Sequence, residues 1–245
     1  MRANARPSWI RSRRAPQHDP PVTVRPLGTS TAALDPLPKP RLRGVLHMWA
    51  FGASVFAGGG LLLEAGSARA RAAVAVYALS VAALFGTRAL YHRADWRSLA
   101  SRPWMRRLDH TMIFVLIAGS CTPFAVLVLH GVLATVILIA TWSAALAGAA
   151  FKLIWIDAPG WLVAALYVAI GWIAVIAIPD LAAHLGLGAV AALALGGVLY
   201  SAGAVIYARQ RPDPVPAVFG YHELFHLLVV VAAALQYAVV AFWVI

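Results

Sequence analysis

The stretch Phe219–His226, FGYHELFH, sets two histidines four residues apart with a glutamate beside the first: His222, Glu223 and His226. On a helix, positions i and i+4 share a face with Cβ atoms about 5–6 Å apart. Two imidazoles so placed can hold one cation. Zinc takes neutral histidine nitrogens at about 2.0–2.1 Å, and catalytic sites combine three protein ligands with an open fourth position. The same residues spell the H-E-x-x-H of zinc proteases, where the glutamate is the general base. A zinc site of either kind needs a third ligand from elsewhere in the chain.

That ligand depends on the elements that carry the histidines, and those elements read as membrane spans. The chain has 245 residues, 62% hydrophobic and 12% charged, with a mean hydropathy of +0.78. Soluble domains are about 45–50% apolar and about 25% charged. A crossing helix needs about 20 apolar residues. Runs of that kind are Val45–Leu63, Ala72–Tyr91, two within His110–Phe151, Ala158–Pro179, Leu181–Ala208 and Phe219–Ile245. The 42 residues His110–Phe151 contain no Asp, Glu, Lys or Arg and turn near His130-Gly131. The fifth and sixth runs part at Pro179-Asp180. The expected fold is an all-α integral membrane bundle of seven transmembrane helices.

Residues 1–43 hold eight of the fifteen prolines and nine of the twenty basic residues. They read as a disordered basic tail, with residues 44–245 as the transmembrane domain. No apolar h-region marks a secretory signal peptide. The net charge of +11 does not imply a nucleic-acid surface, because no basic folded domain carries it. The lone Cys121 excludes an internal disulfide and reads as a small buried hydrophobe.

Cytoplasmic loops are enriched in Lys and Arg. An inside N-terminus leaves only Arg69 and Arg71 in outside loops and puts the C-terminus outside. His92 then lies at the inside end of span two, Asp109 and His110 at the inside start of span three, and His222, Glu223 and His226 at the inside start of span seven. His92 is the first choice of third ligand. Asp109 is suited to hold or polarise a water, or to orient a ligand imidazole. His47 shares this depth but reads as an interface residue. His110 reads as a structural hydrogen-bond partner. His130 and His184 fall on the opposite side, and His18 in the tail.

The segments RLRGVLH (Arg41–His47), RALYH (Arg88–His92), LDHTMIFVLIAGSCTPF (Leu108–Phe124) and FGYHELFH resemble the hemolysin III family, the bacterial branch of the progestin and adipoQ receptor proteins. The resemblance covers residue 41 onward, with the motifs in the family's order. It implies a seven-helix protein of the bacterial plasma membrane with a cytosolic N-terminus. It also implies Zn²⁺ held by His92, His222 and His226, with Asp109 near a water on the ion. One departure stands out. The family usually has serine four residues before the first histidine, where this chain has Arg88. A guanidinium there has to pair with Asp109, meet a lipid phosphate or snorkel to the interface.

Three functions follow. The first is a zinc protein acting on or sensing membrane lipids, by amide hydrolysis or in lipid homeostasis. Zinc would activate water and polarise the carbonyl, and Asp109 would be general base. The second is an intramembrane zinc protease using Glu223, although no Asp, Glu or His follows His226 to complete the usual ligand order. The third is a pore or cytolysin, which needs a polar lumen that these apolar spans do not offer.

Overall fold

The computed structural model describes residues 40–96 and 101–245. Among them the chain is all-helical, apart from an isolated bridge between Val215 and Phe219. The helices are α1 (Val45–Glu64), α2 (Ala68–Arg93), α3 (Ser101–Pro123), α4 (Gly131–Ile154), α5 (Gly160–Gly171), α6 (Ile178–Arg209) and α7 (Tyr221–Val239). A π-turn, Phe124–Val128, extends α3, and another, Val240–Val244, extends α7. Of the expected tail, residues 1–39 lie outside the described residues. Its last residues are held in place: Arg41 N donates to Ala217 O (3.1 Å) and Leu42 N to Val218 O (3.2 Å).

Six segments among the described residues are long and apolar enough to cross a bilayer, where the sequence suggests seven runs. The difference lies in Gly160–Arg209, a single run of 50 residues in which the fifth and sixth spans are continuous. Pro179-Asp180 does not end a helix. Pro179 sits in the first turn of α6, just after the 3-10 stretch Trp172–Ala177. Proline is tolerated there, because first-turn N–H groups have no intrahelical acceptor. The backbone breaks instead at Gly186, φ 83° and ψ 167°, a left-handed conformation open chiefly to glycine. The two arms come back alongside each other. Trp172 Nε1 donates to Ser201 Oγ (3.1 Å), and Gly160 lies beside Tyr207.

Apolar side chains face outward on most helices. Phe56 is 84% exposed, Leu63 87% and Leu187 79%. Such a surface is costly in water and suits lipid. The exception is α3, whose most apolar window is 67% buried against 22% in α1. It sits between α2 and α4, so Asp109 near its start is drawn into the bundle. Small residues let the helices approach closely. Gly119 of α3 lies against Ser80 of α2, and Gly148 of α4 against the ring of Phe114. Cys121 is half-buried on α3 rather than fully enclosed.

Candidate metal centre

The first turn of α7 is held by two carboxylates. Gly220 N donates to Glu223 Oε2 (3.0 Å), and Tyr221 N donates to Asp213 Oδ1 (2.7 Å). Both answer N–H groups that a helix start leaves without partners, and their charge suits the positive end of the helix dipole. His222 and His226 therefore begin a well-anchored helix on one face. Across from them, α2 ends one residue beyond His92.

These two helices bring three imidazoles together. One nitrogen from each of His92, His222 and His226 lies within 4.8 Å of the others. His92 Nε2 and His222 Nε2 are 3.3 Å apart. Two nitrogens on one tetrahedral zinc at about 2.0–2.1 Å stand about 3.3 Å apart. His226 is 1% exposed, and its Nε2 has no hydrogen-bond partner among the described residues. Such an atom costs about 1–3 kcal/mol unless something takes its lone pair. The donor set could therefore hold a metal ion, with His92 and His222 half-buried and His226 buried.

His47 departs from the expectation of an interface residue. It is fully buried, with its ring 4.0 Å from that of His226 and 5.3 Å from that of Phe85. Neither of its ring nitrogens has a hydrogen-bond partner among the described residues. The spacing on α1 carries the signal: the buried residues are His47, Ala50, Gly58 and Leu61, within about 80° of one another at 3.6 residues per turn. His47 lies on the helix face that packs.

The segment entering α1 is fitted to this end of the bundle. Gly44 has φ +77°, and a Cβ there would come 2.7 Å from His92 Cβ. Gly44→Ala is therefore expected to push α1 away from α2. It should lower both metal occupancy and the midpoint of thermal unfolding, read by metal analysis and a melting curve.

Arg88 and Asp109 are 3% and 4% exposed, with Arg88 Nε 3.7 Å from Asp109 Oδ1. Asp109 Oδ2 lies 3.7 Å from His110 Nδ1. His110 has the structural contacts of a framework residue: Nδ1 meets Arg106 O at 2.8 Å and Nε2 meets Tyr207 Oη at 3.3 Å. Glu223 is 1% exposed and has Arg43 Nε 2.7 Å from its Oε1. Its Oε2 is thus taken up by the helix start, while Oε1 lies against Arg43 as an ion pair without a hydrogen bond. His130 and His184 pair with each other, ring centroids 5.4 Å apart, away from the cluster of His92, His222 and His226.

Comparison with known proteins agrees with the motifs. The family model described as Haemolysin-III related matches residues 36–237. The chain is 30% identical over 168 residues to the hemolysin-3 homolog of Bacillus subtilis (strain 168), covering 69% of this chain and 75% of the relative. It is 30% identical over 180 residues to hemolysin-3 of Bacillus cereus, covering 74% and 78%. With these motifs, apolar helices and matches over most of its length, the chain belongs to the haemolysin-III-related family of membrane proteins.

Proposed function

We propose that this protein binds zinc through His92, His222 and His226 in a bacterial plasma membrane and hydrolyses lipid amides. The observation that carries the reading is the convergence of three imidazoles from α2 and α7 at one end of an apolar bundle. Ionisable groups inside membrane spans are costly and are kept for function. A zinc ion held there would supply Lewis acidity towards an amide carbonyl. Asp109 is the proton acceptor for the attacking water, its carboxylate charge faced by Arg88 at 3.7 Å. Membrane lipids are the partners, reached from the bilayer. The test is hydrolysis of a short-chain ceramide by zinc-loaded protein in detergent. Fatty-acid release that disappears in Asp109→Asn, with zinc retained, is expected; no release from wild type overturns the hydrolase.

The protease reading is disfavoured by the two engagements of Glu223. Glu223→Gln is expected to retain zinc and lipid activity within a few-fold. The lost contact with Arg43 should cost on the order of 1 kcal/mol in stability. Complete loss of activity with zinc in place would instead make Glu223 the base.

Seven crossings with an inside N-terminus are part of the same proposal. The break at Gly186, the return of α6 beside α5, and the meeting of His130 with His184 at the α3–α4 turn support it. The distribution of Lys and Arg supports the orientation. A reporter active only outside the cytoplasm, fused after Ile245, should be active; silence there would overturn either the odd number of crossings or the inside N-terminus.

A further inference from the structure

The carboxylates buried at the metal end of the bundle are already matched. Asp109 faces Arg88, and Glu223 faces Arg43. Histidines that bind a metal do so as neutral donors. A divalent ion among His92, His222 and His226 would therefore bring two positive charges into a low-dielectric site. Among the described residues neither buried carboxylate is left over to answer them, and an unanswered buried charge is strongly unfavourable.

A second observation concerns Arg88. Its side chain is 3% exposed, yet Nε has no hydrogen-bond partner among the described residues, and neither has Asp109 Oδ1. Their separation of 3.7 Å is beyond hydrogen-bond range. The guanidinium rests against the Phe225 ring, 5.2 Å from its centroid. Phe225 precedes the ligand His226, and Arg88 stands one turn before the ligand His92, so the guanidinium borders the metal centre. Arginine offers a planar fork of donors matched to carboxylate and phosphate. His47 adds a third buried group with unpartnered nitrogens. It stacks on Phe85, which lies one turn from Arg88 on α2.

We propose that the buried cluster of Arg88, His47 and the three histidines binds the oxyanion of an acidic lipid, carboxylate or phosphate, and that Arg88 selects it over a neutral lipid. This rests on the lipid reading above for the position of the ion and goes beyond it, since a neutral ceramide would then be a weaker ligand of the site than an acidic lipid. A lipid fits better than a free anion because Arg88 lies within a membrane-spanning helix among aromatic rings, Phe85 and Phe225. The anion answers the excess positive charge and takes the hydrogen bonds that Arg88 and His47 leave unmade.

The test is a binding titration of the zinc-analysed full chain in detergent, followed by thermal shift. The probes are dioctanoyl phosphatidic acid, octanoate, dioctanoylglycerol and inorganic phosphate. Wild type is expected to bind at least one of the two acidic lipids roughly tenfold to a hundredfold more tightly than the neutral lipid, the range of a hydrogen bond to a charged group. Arg88→Gln should abolish that preference while zinc content holds. The double variant Arg88→Gln/Asp109→Asn keeps the charge of the cluster balanced, so it serves if the single variant does not fold, with the same loss expected. Equal binding of acidic and neutral lipid by zinc-replete wild type overturns the inference and leaves the zinc reading intact. Acidic-lipid preference that depends on Arg88 in protein unable to hold zinc supports the anion site and sinks the zinc reading. Inorganic phosphate bound as tightly as the acidic lipids overturns the lipid as source of the oxyanion.

Discussion

Replacing His92 with alanine is expected to reduce bound zinc from about one ion per chain to a small fraction of that. Loss of a mere outer partner of a metal ligand already weakens binding about tenfold to a hundredfold, and loss of one of three ligands should exceed this. The effect is informative because His92 stands on α2 and the other two donors on α7. His222 and His226 are paired by helical periodicity alone, so a two-ligand site would survive the substitution. Metal analysis of purified protein, with Phe56→Ala on the outward face as control, reads the outcome. Zinc retained in His92→Ala but lost in His47→Ala would transfer the third ligand to α1, where a fully buried imidazole sits 4.0 Å from His226.

The second large effect is on stability. A Cβ on Gly119 would run into Ser80 Oγ, with Ser80 Cβ close behind and the carbonyl of Val76 3.4 Å away. A side-chain hydroxyl can rotate, but a Cβ moves only with its backbone. Gly119→Val should therefore force α2 and α3 apart at a cost of about 1–3 kcal/mol or more, seen as a lowered unfolding midpoint in detergent. Because α2 carries Arg88 and His92 while α3 carries Asp109, metal occupancy should fall with it. Gly60→Ala on α1 is the matching control. Nothing lies within 4 Å of a Cβ there, and alanine is favoured over glycine in a helix by about 1 kcal/mol. If Gly119→Val melted like wild type, the close approach of α2 and α3 would not be what positions the site.

Much of the protein is legible from local pattern. The limits of α1, the turn near His130-Gly131 and the run to the end of the chain follow from hydropathy, because a bilayer requires an uninterrupted apolar length, whereas α2 begins at Ala68, four residues before its apolar run, and takes in Arg69 and Arg71. The placing of His222 and His226 on one face follows from 3.6 residues per turn. The break between the fifth and sixth runs was less legible. Pro179 looks like punctuation in the sequence, but a proline in a first helical turn loses no hydrogen bond, whereas Gly186 offers a backbone conformation that other residues resist. The burial of His47 is less legible for a related reason: hydropathy gives its position along α1 but not the direction it faces around the helix.

What the sequence by itself determined is therefore the apolar helices, the histidine pair and the family-like motifs that point to His92, Asp109 and Arg88. Composition and periodicity act between near neighbours in the chain and need no knowledge of the rest. The tertiary structure alone decided which of these groups meet. It brought α2 against α3 through Gly119, turned the buried face of α1 so that His47 met His226, and set Arg43 on Glu223. Those outcomes depend on how helices pack and rotate against one another, and that is settled by side chains far apart in sequence.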